Sequence, residues 1–143
     1  MPKLLVELVD SSSLLPRSAH PGDSGLDLYS AEAVLLHVSE RRAIRTGIRI
    51  KLPEGTEGQI RPRSGLALQH GLTVLNAPGT IDSGFRGELQ VILINLGGRP
   101  FEVTVGMRIA QLVICPVTMV EVEQTTSLPS TSRGPFGFGS SED

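Results

Sequence analysis

The sequence has few aromatic residues, a single cysteine and no long hydrophobic run. Its 143 residues include no Trp, one Tyr and four Phe, so aliphatic side chains must build any core. The lone Cys115 excludes an internal disulfide, which is typical of proteins from a reducing compartment. No apolar stretch approaches the length needed to span a bilayer. We therefore expect a cytoplasmic protein that does not bind membranes.

The charge and the length also limit the possible functions. The formal net charge is -2 at pH 7 and the pI is ≈ 5.9, which disfavours binding to nucleic acid by bulk electrostatics. A local cationic pocket for a small polyanion stays possible. The length of 143 residues is that of one domain with a core of its own.

Short strand-like segments separated by turns dominate the chain. Residues 43–50 alternate well between apolar and polar side chains, which predicts a strand over residues 43–52. The single predicted helix spans residues 65–70, with Ser64 as its N-cap and Gly71 as its stop. Without βαβ alternation, the pattern predicts an all-β, jelly-roll-like β-sandwich. The other predicted strands are residues 3–9, 26–29, 33–38, 57–61, 89–95, 101–105, 109–117 and 119–123.

Residues 71–97 form the most informative stretch. Two strand-like flanks enclose residues 78–84, whose proline and glycines predict a hairpin turn that carries the carboxylate of Asp82. An isolated Asp in such a turn usually has only the local structural role of turn residues. Its function therefore depends on the other motifs of the chain.

The composition changes at Gln124. Residues 124–143 consist mostly of Ser, Thr, Gly and Pro, which favours a flexible glycine-rich tail after a domain of residues 1–123. Two of the four phenylalanines, Phe136 and Phe138, nevertheless lie in this tail beside Arg133. We interpret the tail as a mobile lid that becomes ordered over a ligand.

Five segments together resemble, in the right order, the motifs of the trimeric deoxyuridine triphosphatase (dUTPase) family. Some positions depart from the family pattern: Leu26 replaces an aromatic residue, Met107 an Asp, Phe136 a Gly and Ser141 a Thr. The matching segments are residues 21–28, 61–66, 71–97, 106–112 and 133–141.

The resemblance implies hydrolysis of dUTP to dUMP and pyrophosphate, which keeps uracil out of DNA and supplies dUMP for thymidylate synthesis. Asp82 is then the general base that activates a water for attack on the α-phosphorus, and Asp27 helps to hold a hydrated Mg²⁺. Gln111 is the one polar side chain in an otherwise apolar strand and therefore needs a partner. The expected phosphate ligands are Arg63, Ser64, Gly65, Gln111, Arg133, Gly139 and Ser140.

The resemblance also implies how the nucleoside is selected. Backbone groups around Leu75, Asn76 and Leu89, with Gly79 in the same hairpin, are expected to bind the uracil edge. Phe85 is expected to pack on the deoxyribose and exclude a 2′-hydroxyl. Phe138 is expected to stack on the uracil. In this family the protein is a homotrimer with active sites at the subunit interfaces.

Two other functions would leave different signatures in this sequence. The related dCTP deaminases share the Ile-Asp-x-Gly-aromatic hairpin, but they need a Glu where this chain has Ile92. A dUTPase-like module without activity would have lost Asp82 or the tail motif, and both are present. The scattered histidines also lack the spacing of a zinc site.

Overall fold

Antiparallel β-strands make up most of the regular structure. The computed structural model describes residues 1–139 and 141. Within this part of the chain every strand pair is antiparallel, which agrees with the predicted all-β sandwich. The elements are β1 (Leu5–Leu8), β2 (Gly25–Tyr29), β3 (Val34–Leu36), β4 (Arg41–Arg45), β5 (Ile48–Lys51), β6 (Thr56–Arg61), α1 (Ser64–His70), β7 (Leu72–Val74), β8 (Gly79–Ile81), β9 (Gln90–Asn95), β10 (Phe101–Val103) and β11 (Arg108–Pro116).

The strands form two main sheets and two ribbons. The larger sheet has the order β2-β11-β6-β8, and the second sheet has the order β4-β9-β7. The ribbons are β1-β5 and β10-β3. This arrangement confirms the predicted jelly-roll-like β-sandwich.

The core between the sheets is aliphatic, as the shortage of aromatic residues predicts. The buried apolar side chains in the described residues are Leu, Ile, Val and Ala, and they extend from Leu28 to Leu112. Two buried polar residues have their hydrogen bonds made within the chain. The Asn95 amide donates to the carbonyl oxygens of Leu36 and Arg99, and the Thr46 hydroxyl donates to that of Leu89.

The single strand predicted over residues 43–52 is wrong, because the chain turns a corner at Thr46 and Gly47. Gly47 has φ 74°, a left-handed conformation that interrupts an extended strand. The two resulting strands join different sheets, since β4 pairs with β9 and β5 pairs with β1. The alternation of apolar residues runs through the corner, so periodicity alone could not locate it.

The strand predicted over residues 119–123 is also absent. Its apolar side chains lie in solvent, with Met119 85% and Val122 92% exposed. A strand needs a neighbour that completes its backbone hydrogen bonds. The described part of one chain offers this segment no such neighbour, and the last strand ends at Pro116.

The predicted hairpin has a correct stem but a different tip. β7 and β9 pair antiparallel, with Leu72 opposite Asn95. The connection between them contains β8, which pairs with β6 and so belongs to the other sheet. The predicted turn over residues 78–84 therefore bridges the two sheets.

Helix α1 ends as predicted but begins one position earlier. Arg63, not Ser64, occupies the N-cap position, and its side chain makes no capping hydrogen bond. Gly71 forms the C-cap with φ 69°. Its carbonyl accepts a 2.9 Å hydrogen bond from the N–H of Leu96, which ties the helix to the β9–β10 turn. No helix among residues 1–139 and 141 is long and apolar enough to cross a membrane.

Gly71→Ala should destabilise the protein more than Gly55→Ala. Both glycines have a positive φ, 69° and 72°, so both substitutions introduce similar backbone strain. A Cβ at Gly55 meets no atom within 4 Å, whereas one at Gly71 lies 2.5 Å from the backbone nitrogen of Gly97. The additional overpacking should cost roughly 1–3 kcal/mol. Urea unfolding of both variants at one protein concentration measures the difference, and equal losses would contradict it.

Candidate active site

A polar cleft opens between β2, β11 and the first turn of α1. Its volume is about 330 Å³. Five of the residues predicted to bind phosphate or magnesium lie together in it, although they come from three separate motifs. The lining residues are Ala19, Asp23, Ser24, Gly25, Asp27, Arg63, Ser64, Gly65 and Gln111.

Strand register brings the first and fourth motifs together. Asp27 of β2 lies directly opposite Gln111 of β11, and Gln111 lies opposite Arg61 of β6. The chain leaves β6 at Arg61 and enters α1 three residues later, so the second motif follows at the same end of the sheet. The cleft is therefore a direct product of the sheet order.

Asp27 lies between two guanidinium groups. Its carboxylate oxygens lie 3.5 Å from Arg63 Nε and 3.5 Å from Arg108 Nη1, and its side chain is only 13% exposed. Arg63 is a predicted phosphate ligand, whereas Arg108 was not predicted as a site residue. Its place in the motif of residues 106–112 is the available signal, but the register shift between Arg108 and Ala110 has no signature in the sequence.

Gln111 has a protein partner, contrary to the sequence argument. Its side-chain amide donates a 3.0 Å hydrogen bond to the carbonyl of Pro62. Its Oε1 packs against Gly25, where any larger residue would displace it. Gln111 therefore needs no ligand to complete its hydrogen bonds. Its position in the cleft still allows its side chain to contact a bound ligand.

The first turn of α1 suits the close approach of an anion. Ser64 and Gly65 begin the helix, where the first backbone N–H groups have no intrahelical acceptor. A Cβ at Gly65 would meet no atom within 4 Å, so the space in front of this turn is open. Phosphate oxygens bind well to such groups, especially beside a guanidinium such as that of Arg63.

The cleft has as many acidic as basic side chains, and this affects how a metal ion could bind there. Arg63 and Arg108 are matched by Asp27 and by Asp23, whose carboxylate accepts a 2.9 Å hydrogen bond from the N–H of His20. In the described residues no group of three or more His, Cys, Asp or Glu side chains could hold a metal ion. Mg²⁺ fits this site because it keeps several waters and needs few protein carboxylates when phosphates share it.

The remaining predicted residues of the domain lie on the β7–β9 connection. Asp82 follows β8 and its side chain is exposed. The carbonyl of Asp82 accepts a 3.1 Å hydrogen bond from the N–H of Phe85. Phe85 is 44% exposed, and its ring covers Gly87. Asn76 is exposed near Gly79 at the start of β8.

Leu89 does not have the predicted role in binding the uracil edge. Its N–H donates to the carbonyl of Ile48 at 2.9 Å, and its carbonyl accepts from both the N–H and the hydroxyl of Thr46. The N–H of Leu75 is also used, since it donates to the carbonyl of Ile92 at 2.9 Å. On the same connection, β8 is the edge strand of its sheet.

Asp82 and Asp27 are far apart within one chain. β2 and β8 are the two edge strands of the larger sheet, so three strand spacings, roughly 14 Å, separate them. Asp27 is level with Arg61 of β6, whereas Ile81 is level with Gly58, roughly 10 Å further along the strand. Within one chain the cleft and the Asp82 turn, here called the two half-sites, therefore do not meet.

The described tail residues among those predicted, Arg133, Phe138 and Gly139, do not join either half-site. Arg133 and Phe138 are exposed, and Arg133 Nε donates a 3.0 Å hydrogen bond to the carbonyl of Phe136. Gly139 is exposed too. Ser140 lies outside the described residues.

Comparison with known proteins gives a consistent picture over nearly the whole chain. The sequence model of the dUTPase family matches residues 11–142. Deoxyuridine 5'-triphosphate nucleotidohydrolase of Clostridium novyi (strain NT) is 56% identical over 138 residues, which cover 96% of this chain and 97% of the relative. The enzyme of the same name from Crocosphaera subtropica is 57% identical over 128 residues, which cover 90% of each chain.

Solved structures share the fold as well. The G164S variant of the Staphylococcus bacteriophage 80alpha dUTPase, bound to dUpNHpp, has a TM-score of 0.91 at 29% identity and covers 97% of this chain and 98% of its own. The D95N variant of the dUTPase from phage phi11 of S. aureus has a TM-score of 0.82 at 27% identity, with 90% and 99% covered. That phage structure details the coordination of a structural Mg(II) ion.

Proposed function

The chain belongs to the dUTPase family and hydrolyses dUTP, and we propose that it does so by water attack on the α-phosphorus at a site shared between subunits. The observation that carries the proposal is the cleft in which Asp27, Arg63 and Gln111 meet beside the first turn of α1. Its arginines and open backbone N–H groups suit a polyphosphate. The products are dUMP and pyrophosphate.

The cleft binds the triphosphate. Arg63 and the Ser64–Gly65 turn contact phosphate oxygens, and Gln111 adds its amide. Magnesium is the cofactor of the dUTPase family, and Asp27 is the side chain that would hold the hydrated ion against the phosphates. When bound, the ion offsets the negative charge that develops on the phosphate oxygens.

Asp82 is the general base of the second half-site. Its carboxylate is exposed at the start of a tight turn, which leaves it accessible to a water molecule. Removing a proton from that water as it attacks phosphorus is the role of a general base within hydrogen-bond reach. Asn76 and Gly79 lie on the same connection and bind the uracil through its hydrogen-bonding edge.

The two half-sites come from different subunits of a homotrimer. In one chain they are separated by the width of the larger sheet, which supports a site completed by a neighbouring copy. The exposed apolar residues of the 119–123 segment also support association, because a neighbour would cover them. Residues 124–143 act as the lid, with Arg133 on the terminal phosphate, Phe138 on the uracil and Gly139 and Ser140 near the phosphates.

The cellular location is proposed to be the cytoplasm. Cys115 is half-buried and is a free thiol among the described residues. A free thiol is stable in a reducing compartment. Detection of the protein in fractionated cells would test this location.

Release of pyrophosphate from dUTP tests the reaction directly. We expect release from dUTP and little from dCTP or dTTP, with Mg²⁺ required. Ammonia from dCTP would instead indicate a deaminase, which Ile92 on β9 argues against because it has no titratable group. Detection of dUMP and pyrophosphate in equal amounts distinguishes attack at the α-phosphorus from attack at the terminal phosphate, which releases inorganic phosphate.

Phe85→Ala should narrow the preference for dUTP over UTP. The ring covers Gly87 and presents a flat apolar surface where we place the deoxyribose. Its removal opens space for a 2′-hydroxyl, so the ratio of kcat/KM for the two nucleotides should fall by roughly 10- to 200-fold. Phe85→Tyr keeps the ring and is the matched control. An unchanged ratio in a folded Phe85→Ala variant would assign the discrimination elsewhere.

A further inference from the structure

The loop that carries Asp82 is fastened at one end by a bidentate ion pair. Glu88 Oε2 lies 2.9 Å from Arg45 Nε, and Glu88 Oε1 lies 3.2 Å from Arg45 Nη2. The Glu88 side chain is 16% exposed, so the pair is partly shielded from water. Paired guanidinium and carboxylate groups of this geometry fix both position and orientation.

Neighbouring hydrogen bonds reinforce the pair at the same place. The N–H of Gly47 donates to Glu88 Oε2 at 3.4 Å, and the hydroxyl of Thr46 donates to the carbonyl of Leu89 at 2.7 Å. The N–H of Leu89 donates to the carbonyl of Ile48 at 2.9 Å. The corner between β4 and β5 thus holds the segment that follows the Asp82 turn; we call these contacts the Glu88 clamp.

The turn itself has only local hydrogen bonds among the described residues. Phe85 N–H donates to the carbonyl of Asp82, and Arg86 Nη1 donates to the carbonyls of Ser83 and Phe85. The turn therefore depends on its two ends for its place in the molecule. One end is β8, held by β6, and the other is the Glu88 clamp.

We infer that Glu88 and Arg45 are positioning residues that set where Asp82 and Phe85 stand relative to the bound nucleotide. The inference rests on the proposed roles of Asp82 and Phe85. Neither Glu88 nor Arg45 needs to touch the substrate. Because small displacements of a catalytic group are costly to the rate, loosening one end of the turn should lower kcat more than it raises KM.

Glu88→Gln tests this inference most cleanly. The amide keeps the size and one acceptor of Glu88 but removes the charge and the bidentate contact. We expect kcat for dUTP to fall roughly 10- to 100-fold with a smaller change in KM, and the preference for dUTP over UTP to narrow. Glu7→Gln is the matched control, because it removes the Glu7–Arg49 pair, 3.4 Å apart on the β1–β5 ribbon, and should leave these values unchanged.

A double-mutant cycle tests whether the pair acts as a unit. The Arg45 guanidinium also experiences the charges of Glu32 and Asp10, so Arg45→Met changes more than the pair. Its effect on kcat is therefore interpreted only in combination with that of Glu88→Gln. If the pair acts through its mutual contact, the double variant should be no slower than the more affected single variant. Additive losses would overturn the inference.

Stability measurements separate positioning from folding. If Glu88→Gln lowers the melting temperature but leaves kcat and the dUTP-to-UTP preference at wild-type values, the clamp is only structural and the inference is wrong. Measuring kcat of the Asp82→Asn variant in the same experiment distinguishes this outcome from failure of the proposed function. An active Asp82→Asn enzyme refutes the proposed base, whereas an inactive Asp82→Asn with an unaffected Glu88→Gln refutes the positioning pair alone.

Discussion

Asp82→Asn should remove the turnover of dUTP while leaving the fold and the affinity for the nucleotide nearly unchanged. The side chain is exposed, and the hydrogen bond that closes its turn uses the backbone carbonyl. Asn is accepted in such turns, so the change in stability should be within roughly 0.5 kcal/mol. Loss of the proposed general base should lower kcat by roughly 10²- to 10⁴-fold.

Single-turnover kinetics and binding of a non-hydrolysable dUTP analogue check this expectation. Glu102→Gln provides a control, since it removes an exposed carboxylate from β10, which pairs with β3 in a separate ribbon. Loss of melting temperature in parallel with loss of activity in Asp82→Asn would make Asp82 a structural residue instead.

Much of the fold can be predicted because its chemistry is local. Alternating aliphatic residues and glycine-rich turns predict an all-β sandwich, and Gly71 marks the end of α1 since only glycine adopts its left-handed φ without strain. The corner at Gly47 could not be predicted, because it separates two strands that pair with different partner strands. That choice depends on tertiary packing.

The candidate site could be predicted only as a set of motifs. The resemblance identifies Asp27, Arg63 and Gln111, because each lies in its own short motif of residues adjacent in sequence. Their assembly depends on the order β2-β11-β6-β8, which periodicity does not specify. The ion pairs of Asp27 and the bond from Gln111 to Pro62 follow from that assembly.

The connection between β7 and β9 shows the same limit. Its proline and glycines predict a turn, which is the common reading of such residues. β8 forms there because β6 presents a free edge to it, which is a long-range contact. The consequence for the site is large, because this pairing places Asp82 at the edge of the sheet opposite to β2, which lines the cleft.

Removal of the tail after Gln124 should leave the fold and the proposed trimer intact but severely reduce kcat/KM for dUTP. The described tail residues contribute nothing to the core, and the hydrogen bonds found for them beyond Gln124 are made within the tail. Stacking of an aromatic ring on a base contributes roughly 1–3 kcal/mol, so the loss of Phe138 and Arg133 together should lower kcat/KM at least roughly tenfold. Light scattering and urea unfolding would show whether trimer and fold persist.

Mixing this truncated chain with Asp82→Asn chains tests whether the tail acts on a neighbouring subunit. The truncated chain supplies an intact Asp82, and the Asp82→Asn chain supplies an intact tail. Hybrid trimers should therefore regain activity that neither parent shows, because some of their sites combine both functional parts. The control is a chain that carries both changes, which cannot complement either parent. If tagged subunits are shown to exchange and the hybrids stay inactive, each tail must close over a site that contains its own Asp82.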